Sequence, residues 1–158
     1  MPARHVQIDL SGPEATAALA RRMAPGLRPG DVLLLTGPVG AGKTHFARSL
    51  IQSLLPVPED VPSPTFTLVQ TYDAADFEIW HADLYRLSDP GEVIELGLPD
   101  AFETAVALVE WPDRLAELAP ANALSLAFAP LPDPDQRALD ITWDDPRWDD
   151  RAGEFSDE

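Results

Sequence analysis

Gly37-Pro38-Val39-Gly40-Ala41-Gly42-Lys43-Thr44 carries glycine, glycine, lysine and a hydroxyl at the fixed positions of a Walker A loop, and Lys43 is the only lysine in the chain. Ten arginines supply every other fixed positive charge. One ammonium has been kept where phosphate chemistry suits a compact point charge. The glycines let backbone N–H groups turn inward around phosphates. The lysine reaches the β- and γ-phosphates, and the Thr44 hydroxyl binds magnesium. A helix beginning near Lys43 adds its positive dipole end. With glycine at about 7% of residues in an average protein, a chance match in a chain this long is on the order of one in a hundred or less. The flanks agree with the motif. Asp31 to Thr36 is an apolar run of strand length, and His45 to Leu55 has apolar residues at helical spacing. Strand, loop, helix is the order that a phosphate-binding loop requires.

The bulk properties narrow the class. With 158 residues and 45% hydrophobic content, the chain reads as one soluble domain with a real core. There is no apolar run long enough to span a membrane and no apolar signal core after Met1, which reads as cytoplasmic. The absence of cysteine excludes disulfides, thiolate metal sites and a cysteine nucleophile. Twenty-seven acids against 11 bases give a net charge of −16. The arginines are scattered singly apart from Arg21-Arg22, so no basic stripe offers a grip on nucleic acid. The acidity points instead to solubility or to docking on a basic partner surface.

Along the chain, His5 to Leu10 alternates like an edge strand. Pro13 to Met23 reads as a helix with Ser11 as candidate N-cap, and Pro56 to Pro64 must be loop. Phe66 to Tyr72 and Phe77 to Asp83 read as a hairpin around Asp73-Ala74-Ala75-Asp76. Ala105 to Glu110 is a short buried strand, and Ala123 to Ala129 and Ala138 to Trp143 are two more. The expected fold class is α/β: a single P-loop NTPase domain over residues 1–143 with a central mixed β-sheet flanked by helices. Residues 144–158 read as an acidic, solvated and mobile tail.

A P-loop enzyme needs an acid at the end of a neighbouring strand to hold magnesium. Glu110 closes a continuous apolar run and Asp83 a mixed one; either could equally be a solvated turn residue. With a Walker loop present, Glu110 is favoured as the metal-site acid. Asp83 then becomes an outer group on the metal or the group orienting the attacking water. Ser63-Pro64-Thr65-Phe66-Thr67 places hydroxyls on a loop where Thr65 could sense the γ-phosphate; an ordinary strand start with a capping hydroxyl fits as well. His81 reads as structural or exposed, and Trp111 as a core or interface aromatic. Arg86 and Arg137 could touch phosphate or base, though each fits a surface ion pair too.

These motifs occur in one order: the Walker loop, Ser63 to Val69, then His81-Ala82-Asp83-Leu84-Tyr85-Arg86-Leu87, then Val109-Glu110-Trp111-Pro112. Together they resemble the TsaE (YjeE) family of small bacterial ATPases, over nearly the whole chain from His5 to Trp143. The resemblance implies ATP/ADP and Mg2+ as cofactors and an ATPase needed to form threonylcarbamoyladenosine at position 37 of tRNAs reading codons that begin with A. It implies an accessory role beside the TsaD–TsaB complex, in which TsaD carries the transferase site and ATP turnover by TsaE resets the complex. Contact with tRNA is then indirect, through the complex, and no membrane is involved. Carried over by motif, Gly40, Ala41, Gly42, Lys43 and Thr44 bind the phosphates; Gly37, Val39 and His45 beside the loop, and Arg137 outside the motifs, are further candidate nucleotide contacts. Thr44 and Glu110 hold magnesium, and Lys43, Asp83 and Thr65 serve catalysis. Trp111 matches a family tryptophan at the nucleotide site or partner face. The chain departs from the family pattern at Pro38, where an acid is usual, at His45, where a small or hydroxyl residue is usual, and at Gln70, where Glu is common. The tuning of hydrolysis is what these departures touch.

Two other classes fit a P-loop. A small-molecule kinase needs a second pocket with converging arginines, for which only Arg86 and Arg114 are at hand. A nucleotide-gated binding module with little turnover would share every residue named above.

Overall fold

Strands buried on both faces must be apolar at nearly every position, and two runs in this chain are. They form the centre of the sheet in the computed structural model, which describes residues 5–38, 42–57, 61, 69–87, 89 and 91–154. In chain order the elements are β1 (His5–Leu10), α1 (Pro13–Met23), β2 (Val32–Thr36), α2 (Lys43–Leu54), β3 (Val69–Asp73), β4 (Glu78–Asp83), α3 (Gly91–Glu95), α4 (Leu98–Thr104), β5 (Val106–Glu110), β6 (Leu124–Pro130) and β7 (Arg137–Thr142). Short 3₁₀ segments cover Ala24–Gly26, Pro112–Leu118 and Pro146–Glu154.

The seven strands lie in the order β1-β7-β6-β2-β5-β4-β3. β2 pairs in parallel with β5 and β6, and β5 in parallel with β4. β1 and β7, β6 and β7, and β3 and β4 pair antiparallel, so a parallel centre carries antiparallel margins. Alternation on β2 divides the core. Leu33 and Leu35 join Phe46, Leu50 and Ile51 of α2 and Leu19 and Met23 of α1 on one face. Val32 and Leu34 join Val93, Leu98, Phe102 and Leu115 on the other. The mixed sheet with helices on both faces is the expected α/β architecture, with β1 at an edge and the expected hairpin formed by β3 and β4 as far as it is described.

Three details differ from the sequence reading. The N-cap of α1 is Gly12, not Ser11; no side chain caps the helix, and Pro13 supplies its first turn without an amide to satisfy. Residues 91–104, to which the sequence reading assigns no element, form two short helices interrupted by Gly97 at φ 84°. The third difference is the segment after Trp143, which is packed on the domain rather than solvated as far as it is described. Trp148 is 1% exposed in the core beside Trp143, and its indole N–H donates to the Asn122 carbonyl at 2.8 Å. Arg147 and Arg151 both reach Asp31, at 3.3 and 2.6 Å, and the Arg151 guanidinium stacks over the Trp148 ring. Asp31, itself 1% exposed, also accepts the Arg28 amide at 2.8 Å. The acidic composition of this stretch conceals two cations and an indole whose partners lie far back in the chain.

This segment therefore braces the start of β2, at the end of the sheet opposite the Walker loop. Trp148→Ala is expected to cost about 3–5 kcal/mol, as for other buried large aromatics. Urea unfolding of the two proteins measures it; an unchanged midpoint would mean that the segment does not pack in solution.

Candidate functional site

The carboxyl ends of β2, β5 and β4 meet at one edge of the parallel centre, with Leu35 opposite Glu110 and Glu110 opposite Asp83. The Walker loop leaves β2 at this edge, where open α/β sheets bind their ligands. Gly37 has φ 138°, and a Cβ there would come 2.5 Å from the Phe128 carbonyl oxygen, so a side chain is excluded on two counts. Gly42, at φ 106°, opens α2 with no side-chain cap competing for the first amides. Lys43 and Thr44 are its first two residues.

Lys43 is 4% exposed. Its ammonium donates to the Gly37 carbonyl at 2.6 Å and lies 3.7 Å above the centre of the Trp111 ring. A desolvated cation on an indole face is worth about 2 kcal/mol. Burial lowers the Lys43 pKa from its ordinary value, while the nearby charges of Glu110, Asp83 and Asp113 oppose that shift. Trp111 is the only non-glycine with positive φ among the described residues, at 59°. Such a backbone persists only where its surroundings fix it. Here the ring is held between Lys43 and Tyr85, whose ring centre is 4.8 Å away. Tyr85 is 48% exposed, so this stack connects the buried lysine to the surface.

Thr44 Oγ1 donates to Glu110 Oε1 at 2.7 Å. The other carboxylate oxygen, Oε2, accepts from His81 Nε2 at 2.7 Å, and both residues are buried, at 0% for His81 and 2% for Glu110. Thr44 and Glu110 thus bring two hard oxygen donors together at the N-terminus of α2, a donor set suited to magnesium. No cluster of three metal-ligating side chains occurs among the described residues. Asp83, 7% exposed, lies level with Glu110 on the next strand and accepts the Tyr85 amide at 3.1 Å.

A cleft of about 190 Å³ opens beside α2, lined by Gly12, Pro13, Thr16, Gly42, His45, Asp135 and Arg137. His45 donates to the Pro13 carbonyl at 2.9 Å, and Arg137 donates to the Pro134 and Gln136 carbonyls. The fold therefore gathers Gly37, Gly42, Lys43, Thr44, His45, Asp83, Glu110 and Arg137 around one edge. Val39, Gly40, Ala41 and Thr65 lie outside the described residues. His81 read as structural or exposed in the sequence; it is buried, and its partner is Glu110. The available clue was its position two residues before Asp83 on one strand, which puts both on the same face. Trp111 read as a core or interface ring; its place over Lys43 depends on a backbone turn that residue type alone does not signal. Phe128, which closes on Gly37 from β6, carried no sequence signal.

The chain is similar to known proteins over most of its length. Residues 10–138 match the sequence profile of TsaE, threonylcarbamoyl adenosine biosynthesis protein. The chain is 38% identical over 136 residues to the tRNA threonylcarbamoyladenosine biosynthesis protein TsaE of Rickettsia bellii, covering 86% of this chain and 94% of that one. It is 37% identical over 131 residues to the Bacillus subtilis protein of the same name, covering 82% and 80%. The Rickettsia conorii relative is 43% identical over 109 residues, 69% of this chain, and the match spans only 62% of that longer protein. Among solved structures, Bacillus subtilis YdiB superposes with a TM-score of 0.81 at 29% identity, over 98% of this chain and 96% of that one. With its Walker loop, its Thr44–Glu110 pair and a profile match over most of its length, the chain belongs to the TsaE family of tRNA threonylcarbamoyladenosine biosynthesis.

Proposed function

We propose that this protein is a magnesium-dependent ATPase that serves the TsaD–TsaB complex as an accessory subunit in forming threonylcarbamoyladenosine at position 37 of tRNAs reading codons that begin with A. The observation that carries this reading is the meeting of the Lys43 ammonium, the Thr44 hydroxyl and the Glu110 carboxylate at the uncapped start of α2. Lys43 would give up the Gly37 carbonyl for the β- and γ-phosphates. Thr44 and Glu110 would hold magnesium, which screens the charge on the phosphates. The cleft beside His45 and Arg137 would take the adenosine end, and Asp83 would orient the attacking water. Thr65 remains the candidate sensor of the γ-phosphate.

The net charge of −16 supports indirect rather than direct contact with tRNA, because an acidic surface repels a polyanion. It is compatible with docking on a basic face of the protein partners. Among the described residues no helix is long and apolar enough to cross a membrane, in keeping with a role in the cytoplasm. A small-molecule kinase finds less support, since Arg86 and Arg114 are both exposed and family membership points elsewhere.

Removing the Lys43 ammonium deletes charge-assisted bonds worth about 1.5–3 kcal/mol each. Lys43→Ala should therefore weaken ATP binding about tenfold to a hundredfold or more in calorimetric titration. Equal affinity and turnover in the variant would remove the nucleotide from this loop. Asp83→Ala should lower hydrolysis about 100- to 10,000-fold while changing ADP affinity only severalfold. A variant with full turnover would take Asp83 out of the chemistry. Phosphate release by the isolated chain should be slow and should rise when the TsaD–TsaB complex is added. Fast and equal rates in both conditions would contradict the accessory role.

A further inference from the structure

The mechanism above does not use His81, and its surroundings give it no ordinary structural reason to be there. On the face of the sheet covered by α2, its neighbours Ile79, Val106 and Leu108 are apolar core residues at 0% exposure. A polar ring at 0% exposure on such a face costs free energy unless it is bonded. Among the described residues its partner is Glu110 Oε2, at 2.7 Å, while its buried Nδ1 has no hydrogen-bond partner. The ring therefore leaves one nitrogen unsatisfied in order to direct the other at a single carboxylate oxygen.

Glu110 gains a defined orientation from this contact. A glutamate carboxyl turns readily about its last torsion. Here each oxygen has its own donor, Thr44 on Oε1 and His81 on Oε2, and both bonds are 2.7 Å. Bonds to an ionised carboxylate are the strong ones, so the plane of the group is fixed before any ligand arrives. Without His81, Oε2 would be a buried anionic oxygen lacking a donor, and Glu110 would rotate to find one.

We propose that His81 is a positioning residue of the cation site: by holding Oε2, it keeps Oε1 turned to Thr44 and available to a divalent cation. This rests on the reading of Thr44 and Glu110 as the pair that holds magnesium. Partners that orient metal-binding carboxylates are worth about tenfold to a hundredfold in metal affinity or activity when removed. The effect of His81 should fall chiefly on the metal, because Lys43 hydrogen-bonds Gly37 and feels Glu110 only through its charge.

The test is ADP affinity measured by calorimetry at saturating magnesium and again in excess EDTA, with the ratio of the two as the readout. Thermal melting of each variant reports stability separately. In His81→Leu the magnesium enhancement should fall about tenfold or more, with affinity in EDTA nearly unchanged. His81→Gln, whose amide can donate toward Oε2, should recover much of the enhancement. His81→Asn, which is shorter, should not. If His81→Leu fails to fold, the contrast between Gln and Asn decides. Thr44→Ala and Glu110→Ala are run beside them. If these lose the enhancement and every foldable His81 variant keeps it, the positioning role is wrong while the metal site stands. If Thr44→Ala and Glu110→Ala also keep it, the metal site itself has been misread, and the role of His81 goes with it.

Discussion

The 2.7 Å hydrogen bond from the Thr44 hydroxyl to Glu110 joins the first turn of α2 to the end of β5. Everything at the site depends on that closure. It can form only because β2 and β5 are adjacent and parallel, so that the loop leaving one strand passes over the carboxyl end of the other. Adjacency in turn requires both strands to be apolar on both faces, with α1 and α2 covering one side and α3 and α4 the other. A carboxylate 2% exposed is tolerable there because both its oxygens accept hydrogen bonds from side chains. Burial also strengthens its attraction for any cation that reaches it.

The same edge holds a second linked group with the opposite charge. Lys43 rests on its own loop's carbonyl and on the Trp111 ring, and Trp111 touches the exposed Tyr85. The proposed nucleotide site and a patch of the surface therefore share one chain of contacts, which suits a protein proposed to act through partners.

Much of this was legible in the sequence because it is local. The Walker loop has fixed spacing, β2 and β5 are continuous apolar runs, and α2 has helical periodicity. Glu110 and Asp83 could be picked out as acids ending strands. What the sequence hid is what depends on distant partners. His81 lies 29 residues from Glu110, and only the parallel register of β4 and β5 puts it within reach. Arg147, Trp148 and Arg151 sit in an acidic stretch that resembles solvated chain. Their partners Asp31 and Asn122 lie 116, 26 and 120 residues away. The helices at 91–104 were obscured by Gly97 and Pro99, which break the periodicity that would have announced a single longer helix.

The most direct test of the nucleotide site is a crystal structure of the chain with magnesium and a slowly hydrolysed ATP analogue. Expected are the β- and γ-phosphates at the start of α2 against Lys43, with the ammonium withdrawn from the Gly37 carbonyl. Magnesium should sit on Thr44 and Glu110, and the base in the cleft beside His45 and Arg137. Phosphates bound away from α2, with the Thr44–Glu110 and Lys43–Gly37 bonds undisturbed, would contradict the assignment.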